Sequence, residues 1–454
     1  MQLKRRHTGI ACLVLLLMMI SRAQAQQPIT PGVVPLSAQQ AVEFALANQT
    51  AVKTAKLDEL IQLAKNKEVS GMALPSLSAN GMYQDNPIIQ KQLIDASNFD
   101  PSVPKGTLVP FEFGLKYNAV GEVKLNQTLF DPSVLVALQA RKTLEDLVRK
   151  NVQKTEVDVK EAVYKAYYNV LSGRKALSIL EGNITNLEKM LHEVKVSYDN
   201  GLVEKLDVDR LMVQLTNLRT EQTKLKNLLE VGTAALKYQM GMPIKQQIEL
   251  TDSLSTSQIK AGVAEITDFD YTQRIEYQLL DAQKKANEYD LKRYKMKGLP
   301  TLSLFGTGGV SRASNKFNYF NSEMWYGYVG YGLNLSIPIF SGFQRKRQVD
   351  QAFLAVKKSE VSMENLRQSI DLQQEQSAST LRNNVLTLES QEKNMALAQD
   401  VYNTTQIKYR EGVGSSLEMS TAETDLLKAQ NNYFTALYDA VVAKIEYLKS
   451  YGKL

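Results

Sequence analysis

Tyr198-Asp199-Asn200-Gly201-Leu202-Val203-Glu204-Lys205-Leu206-Asp207-Val208 is answered 211 residues later by Tyr409-Arg410-Glu411-Gly412-Val413-Gly414-Ser415-Ser416-Leu417-Glu418-Met419. The same shift places Leu177 on Leu388, Ile184 on Met395, Leu215 on Leu426 and Gly241 on Gly452. Leu129-Phe130-Asp131-Pro132 is echoed more loosely by Ile339-Phe340-Ser341-Gly342, with a one-residue slip. Repetition on this scale predicts two copies of one large structural unit. Gly201 and Gly412 can take the left-handed conformation that ends a helix, so each Tyr-x-x-Gly reads as the turn of a helical hairpin.

The arms of those hairpins are long. No proline falls between Pro132 and Pro243, or after Pro338, and proline is what breaks helix interiors. Leu177, Leu180, Ile184, Leu187, Leu191, Val194 and Tyr198 follow alternating spacings of three and four, a heptad seam. Leu211, Leu215, Leu218, Leu225 and Leu229 continue it beyond Gly201. Helices are therefore expected from Pro132 to Asn200 and back through Gln239, then from Gly342 to Arg410 and back from Ser415 to Tyr451. The second seam, Phe353, Val356, Met363, Ile370, Leu381, Val385 and Leu388, is diluted by polar residues. A shorter helix opens each unit, one capped by Ser37 and ending near Leu74-Pro75, the other spanning Phe269 to Lys297. The Ser/Thr-rich stretch between the units reads as irregular.

Before each long hairpin lies sequence with period two. Trp325, Val329, Tyr331, Leu333, Leu335 and Ile337 alternate with Tyr326, Tyr328, Gly330, Gly332, Asn334 and Ser336, one face apolar and the other small or polar. Val123, Leu125 and Leu129, then Leu302 to Val310, and more weakly Leu74 to Tyr83, give three further strands. Each is near the length of a tilted membrane strand. Pro87 to Pro110 and Ser311 to Met324 read as the loops joining the two pairs. Trp325, Tyr326, Tyr328 and Tyr331 form a candidate interfacial aromatic belt. Four strands cannot close a barrel, since the smallest single-chain barrels have about eight. Open edges in hydrocarbon would leave backbone groups unsatisfied at several kcal/mol each, so if these strands lie in a membrane several chains must share one barrel; the alternative is a soluble four-stranded sheet packed against the helices.

Composition removes other classes. Residues 1–25 read as an export signal: Lys4, Arg5 and Arg6, an apolar run from Ile10 to Ile20 too short to span a bilayer, and Ala23-Gln24-Ala25 for cleavage. Cys12, the only cysteine, leaves with it, so no disulfide framework is expected. Beyond residue 25 the chain carries 50 Lys and Arg against 48 Asp and Glu, a balance that argues against nucleic acid as partner. His192 alone remains of the two histidines and sits in the heptad pattern, so neither a metal site nor a cofactor is expected. The nucleophile-elbow, zincin and Walker patterns are absent from the sequence.

Leu74-Pro75-Ser76-Leu77, Leu299-Pro300-Thr301-Leu302 and the two Tyr-x-x-Gly turns, in this order, resemble the TolC-like outer-membrane efflux protein family (outer membrane factors). The resemblance covers essentially all of the chain after the signal. It implies a mixed α and β membrane protein: a homotrimer whose protomers give four strands each to a 12-stranded β-barrel, continued by a long periplasmic α-helical barrel with an equatorial girdle. The units would be residues 26–240 and 269–454, joined by 241–268. It further implies a passive exit duct of a tripartite efflux or type I secretion system, seated in outer-membrane lipid. Its partners would be a periplasmic adaptor and an inner-membrane pump or ABC-type transporter.

The resemblance further implies that the inner helices constrict the pore at the hairpin tips, where acidic residues form rings that repel one another on opening and attract cations. The matching positions are Asp207 and Glu418, with Asp209 and Glu423 nearby. Acids in the first turn of a helix also stabilise that helix end without any pore. Gly414 and Thr421 depart from the family pattern, at the places of a bridging arginine and a second pore carboxylate. Tyr198, Gly201, Leu202 and Leu206, with Tyr409, Gly412, Val413 and Leu417, are the candidates for adaptor docking, or equally for plain helix reversal. The alternatives are a periplasmic adaptor, which carries one hairpin rather than two, a structural coiled coil, which leaves the strands unexplained, and a secreted enzyme, which lacks the residues for chemistry.

Overall fold

The computed structural model describes residues 33–254, 256–260, 269–317 and 325–454. The export signal lies outside these, as do parts of the connecting segment 241–268 and of the loop 311–324. Among the described residues no helix is long and apolar enough to cross a membrane.

Four long helices dominate. They are α3 (Pro132–Asp199) with its return α4 (Lys205–Met240), and α7 (Gln344–Arg410) with its return α8 (Ser416–Ser450). The 68 residues of α3 span ~100 Å at 1.5 Å per residue. Asp131 starts α3 by accepting from the Ser133 and Val134 N–H groups, with Pro132 in the first turn, where its missing N–H is no loss. The echo of this start is imperfect: α7 begins after Gly342 and Phe343, both at positive φ, with no side-chain cap.

The heptad seam is buried along Leu180, Ile184, Leu187 and Val194, against Val208, Leu211, Leu215 and Leu218 of α4. Two seam positions move by one residue. Met190 is buried where Leu191 is only partly so, and Ala352 is buried where Phe353 is 48% exposed. One residue is ~100° around a helix, enough to turn a side chain out of the interface.

At mid-length a second core joins α3 to the shorter elements. Val159, Val163, Tyr167 and Val170 pack with α1 (Ala38–Asn48) and with Leu236 and Met240. The Tyr167 hydroxyl donates to the Leu36 carbonyl at 2.9 Å. Leu36 belongs to β1 (Val34–Leu36), which pairs in parallel with β6 (Ile248–Leu250). The stretch read as irregular thus holds a strand, followed by the short helix α5 (Thr256–Lys260). Its partner lies over two hundred residues upstream, so no local pattern could reveal it.

The expected single helix from Ser37 to Leu74 is two helices, α1 and α2 (Thr50–Gly71), broken at Gln49, which is extended at φ −64°, ψ 133°. The cause is tertiary. Gly241, left-handed at the end of α4, lies so close that a Cβ there would stand 2.7 Å from the Asn48 carbonyl oxygen. Gly452 ends α8 in the same way, 2.6 Å from the Gln273 oxygen by the same construction. Gly241→Val is therefore expected to destabilise the fold by about 2–3 kcal/mol, since it adds backbone strain and a clash. Thermal melts of the variant read this, and an unshifted melt would contradict it. The second short helix, α6 (Ile275–Met296), starts six residues later than Phe269, after a 3₁₀ turn over Tyr271–Gln273.

The four strands form one antiparallel sheet in the order β2-β5-β7-β8: β2 (Ser76–Asp85), β5 (Tyr117–Phe130), β7 (Thr301–Ser314) and β8 (Tyr326–Ser336). Between β2 and β5 the proline-rich loop carries an unforeseen hairpin, β3 (Lys91–Asp95) with β4 (Leu108–Glu112).

Register sorts the sheet's side chains into two faces. Leu77–Leu125–Gly306–Tyr331 and Ala79–Val123–Gly308–Val329 share the apolar face. Ser78–Lys124–Thr307–Gly330 and Asn80–Glu122–Gly309–Tyr328 share the other. On that polar face Glu122 meets Lys124 at 2.6 Å and accepts from the Tyr328 hydroxyl at 3.2 Å. This corrects the aromatic belt. Tyr326 and Tyr328 lie on the polar face, and Tyr331 sits mid-strand in the apolar one, so the four do not form a belt. Only Trp325, at the end of the strand, keeps a position suited to an interface.

Candidate functional site

Both hairpins turn by the same device. The Gly201 N–H donates to the Tyr198 carbonyl at 2.8 Å and the Leu202 N–H to the Ser197 carbonyl at 2.9 Å. Gly412 and Val413 repeat this with Tyr409 and Lys408 at 3.1 and 3.0 Å. Each is a Schellman motif, with φ of +73° at Gly201 and +74° at Gly412. The motif leaves the following apolar residues outside: Leu202, Leu206, Val413 and Leu417 are all more than half exposed. Tyr198 is exposed as well. Tyr409 differs: it packs against the buried seam, its hydroxyl is buried with no hydrogen-bond partner, and burial with the nearby Asp207 charge pushes its phenol up.

The four acids do not share one surface. Asp207 is half-buried and lies in the first turn of α4, whereas Asp209 is exposed. Two residues are ~200° apart around a helix. Glu418 is exposed in the first turn of α8, where its own N–H is bound by the Ser415 hydroxyl at 3.2 Å. Glu423 is five residues on, ~140° around, and only 4% exposed. The geometry takes Glu423 off the exposed surface that a pore-lining carboxylate needs, and sets it inside the helix packing. Burial pushes its carboxyl up to about 7.

Contacts between the two hairpins were not legible in the sequence. Arg210 of α4 donates to the Ser416 hydroxyl of α8 at 2.7 Å, and Gln214 to Ser420 at 2.5 Å. Both pairs share the sequence separation 206, so α4 and α8 run in the same direction side by side. Arg410 of α7 pairs with Glu193 of α3 at 3.1 and 3.3 Å, and Asn183 donates to Gln430 at 2.8 Å. Among the described residues no cluster of His, Cys, Asp or Glu could hold a metal ion.

A four-stranded sheet with one apolar face, continued by two ~100 Å hairpins, is the arrangement found in known outer-membrane channels. The chain superposes on the CusC channel with a TM-score of 0.70 over 91% of each chain, at 16% identity. Residues 281–452 match the family described as Outer membrane efflux protein. In fold, and in sequence over residues 281–452, the chain resembles the TolC-like outer membrane factors. Outer membrane protein TolC of Salmonella enteritidis is 22% identical over 339 residues, covering 73% of this chain and 68% of that protein. Proteases secretion protein PrtF of Dickeya chrysanthemi is 18% identical over 343 residues, covering 74% and 72%. These likenesses place the chain among outer-membrane proteins that extend into the periplasm, channel proteins rather than enzymes.

Proposed function

We propose that three copies of this chain close one 12-stranded barrel in outer-membrane lipid. The helical hairpins continue it as a passive exit duct for efflux or secretion, narrowed at the hairpin tips. The observation that carries this is the sheet itself. Among the described residues β2 and β8 are the sheet's outer strands, with no further strand beside them, and a sheet with an apolar face and two open edges is intolerable in hydrocarbon until neighbours complete it. The polar face, with Lys124, Glu122 and Tyr328, then lines the lumen. A repeated unit supplies each protomer with two strand pairs and two hairpins, over residues 26–240 and 269–454.

The exposed apolar tips, Leu202, Leu206, Val413 and Leu417, suit docking of a periplasmic adaptor, which would join the duct to an inner-membrane pump or ABC-type transporter. Asp207, Asp209 and Glu418 supply the negative charge at the mouth. The test is direct. Outer-membrane extracts run without boiling should show a heat-sensitive trimer, and the purified trimer should conduct in planar bilayers with cation preference. Glu418→Ala is expected to lower cation-over-anion selectivity by roughly twofold or more, because a ring of exposed carboxylates is removed from the constriction. A monomer that stays in the periplasmic fraction would end the duct reading. Unchanged selectivity would remove Glu418 from the mouth.

A further inference from the structure

Glu423 is the only acidic side chain buried among the described residues, and its Oε2 has no hydrogen-bond partner. An ionised carboxylate in that condition is strongly penalised, whereas a protonated one is tolerable. Its neighbours on α8 at i−4 and i+3, Met419 and Leu426, belong to the apolar cluster at the tip. That cluster also takes in Tyr402 of α7, Leu211 and Leu215 of α4, and Met190 and Val194 of α3.

The titratable groups on these helices do not compensate it. Arg410 is engaged by Glu193, and Arg210 donates to Ser416. Asp207 and Tyr409 face one another, and His192, Glu418 and Asp425 are exposed. Tyr402 is the group that faces Glu423: burial first, and then the Glu423 charge, pushes its phenol up to about 12. A neutral Tyr402 gives Glu423 no counter-charge.

We propose that Glu423 is a proton-operated latch in the hairpin tip: neutral, it lets α8 pack against α7 and α4; ionised, it drives the start of α8 outward to hydrate its carboxylate. The latch rests on reading the tips as the narrow end of the duct. Burial raises the carboxyl from its ordinary 4.5 to about 7 in the packed tip. The packed form is therefore fully favoured below the ordinary value. That advantage falls away as pH rises, until the packed form itself ionises. Acid tightens the tip and neutral pH loosens it.

Amide hydrogen exchange on the full-length protein in lipid nanodiscs tests this, read over residues 416–426 at pH 5.5 and 7.5 and corrected for intrinsic rates. The wild type is expected to lose protection by roughly tenfold to twentyfold across that interval. E423Q and the apolar E423M are expected to change by less than about twofold, and E418Q to behave as wild type. A flat wild-type profile overturns the latch, as does pH dependence retained in both Glu423 variants or abolished by E418Q. Exchange reports on the tip whether or not the protein conducts. A Glu423-dependent profile in a protein that forms no pores would keep the latch and sink the duct.

Discussion

Leu125→Arg should eliminate the heat-sensitive trimer from the outer membrane, while Asn126→Arg, one residue away, should leave it intact. Leu125 lies in the row Leu77–Leu125–Gly306–Tyr331, and Tyr331 is mid-way along the 11 residues of β8. An arginine on the lipid face near the bilayer midplane costs about 2–4 kcal/mol. In the proposed trimeric barrel three copies would bring that to about 6–12 kcal/mol, comparable with the whole stability of a typical folded domain at about 5–15 kcal/mol. Asn126 belongs to the opposite face, in the row Ser76–Asn126–Phe305–Gly332. An arginine there meets lumen water and stands on the same face as Lys124 and Glu122. Trimer yield from membranes, with and without boiling, reads both. Equal loss in the two variants would mean that the faces are wrongly assigned, and with them the barrel.

The contrast between adjacent residues also shows where the sequence was readable. Period two is a local rule, so the strands and the alternation within each could be read off directly. The aromatic belt failed because it gathered Tyr326, Tyr328 and Tyr331 by composition and ignored their parity and depth. The hairpin turns were legible for a different reason. A left-handed glycine followed by an apolar residue is a complete local solution to ending a helix, needing nothing from the rest of the chain. The break at Gln49 is the opposite case. No proline or glycine marks it, and it exists where the end of α4 presses Gly241 against the Asn48 backbone. The β1–β6 pairing likewise depends on partners far apart in sequence. At the tip, the acids could be found but not their environments. Glu418 and Glu423 look alike in sequence, and only the helical angle between them, read against the buried seam, separates an exposed carboxylate from a buried one.

Burial also ranks the contacts that hold the tips together. On the proposed duct reading, with Gly414 where the resemblance implies a bridging arginine, closure would fall to the links between the hairpins. Arg410 and Glu193 form a two-contact pair, but their side chains are 49% and 52% exposed, and such pairs contribute at most about 1 kcal/mol. Arg210 is half-buried and donates to Ser416, itself 8% exposed. A charged hydrogen bond in that setting contributes about 1.5–3 kcal/mol. Arg210→Ala is therefore expected to raise the open population of the duct by about tenfold to hundredfold, and Arg410→Ala by no more than about fivefold. Single-channel recordings at fixed voltage separate the two, as does leakage of large antibiotics into cells expressing each variant. Should Arg410→Ala open the duct and Arg210→Ala leave it shut, burial would not be what decides the strength of the lock. The outer salt bridge between α3 and α7 would then carry the closure, and the narrowing would be governed at the solvent-facing rim rather than between the return helices.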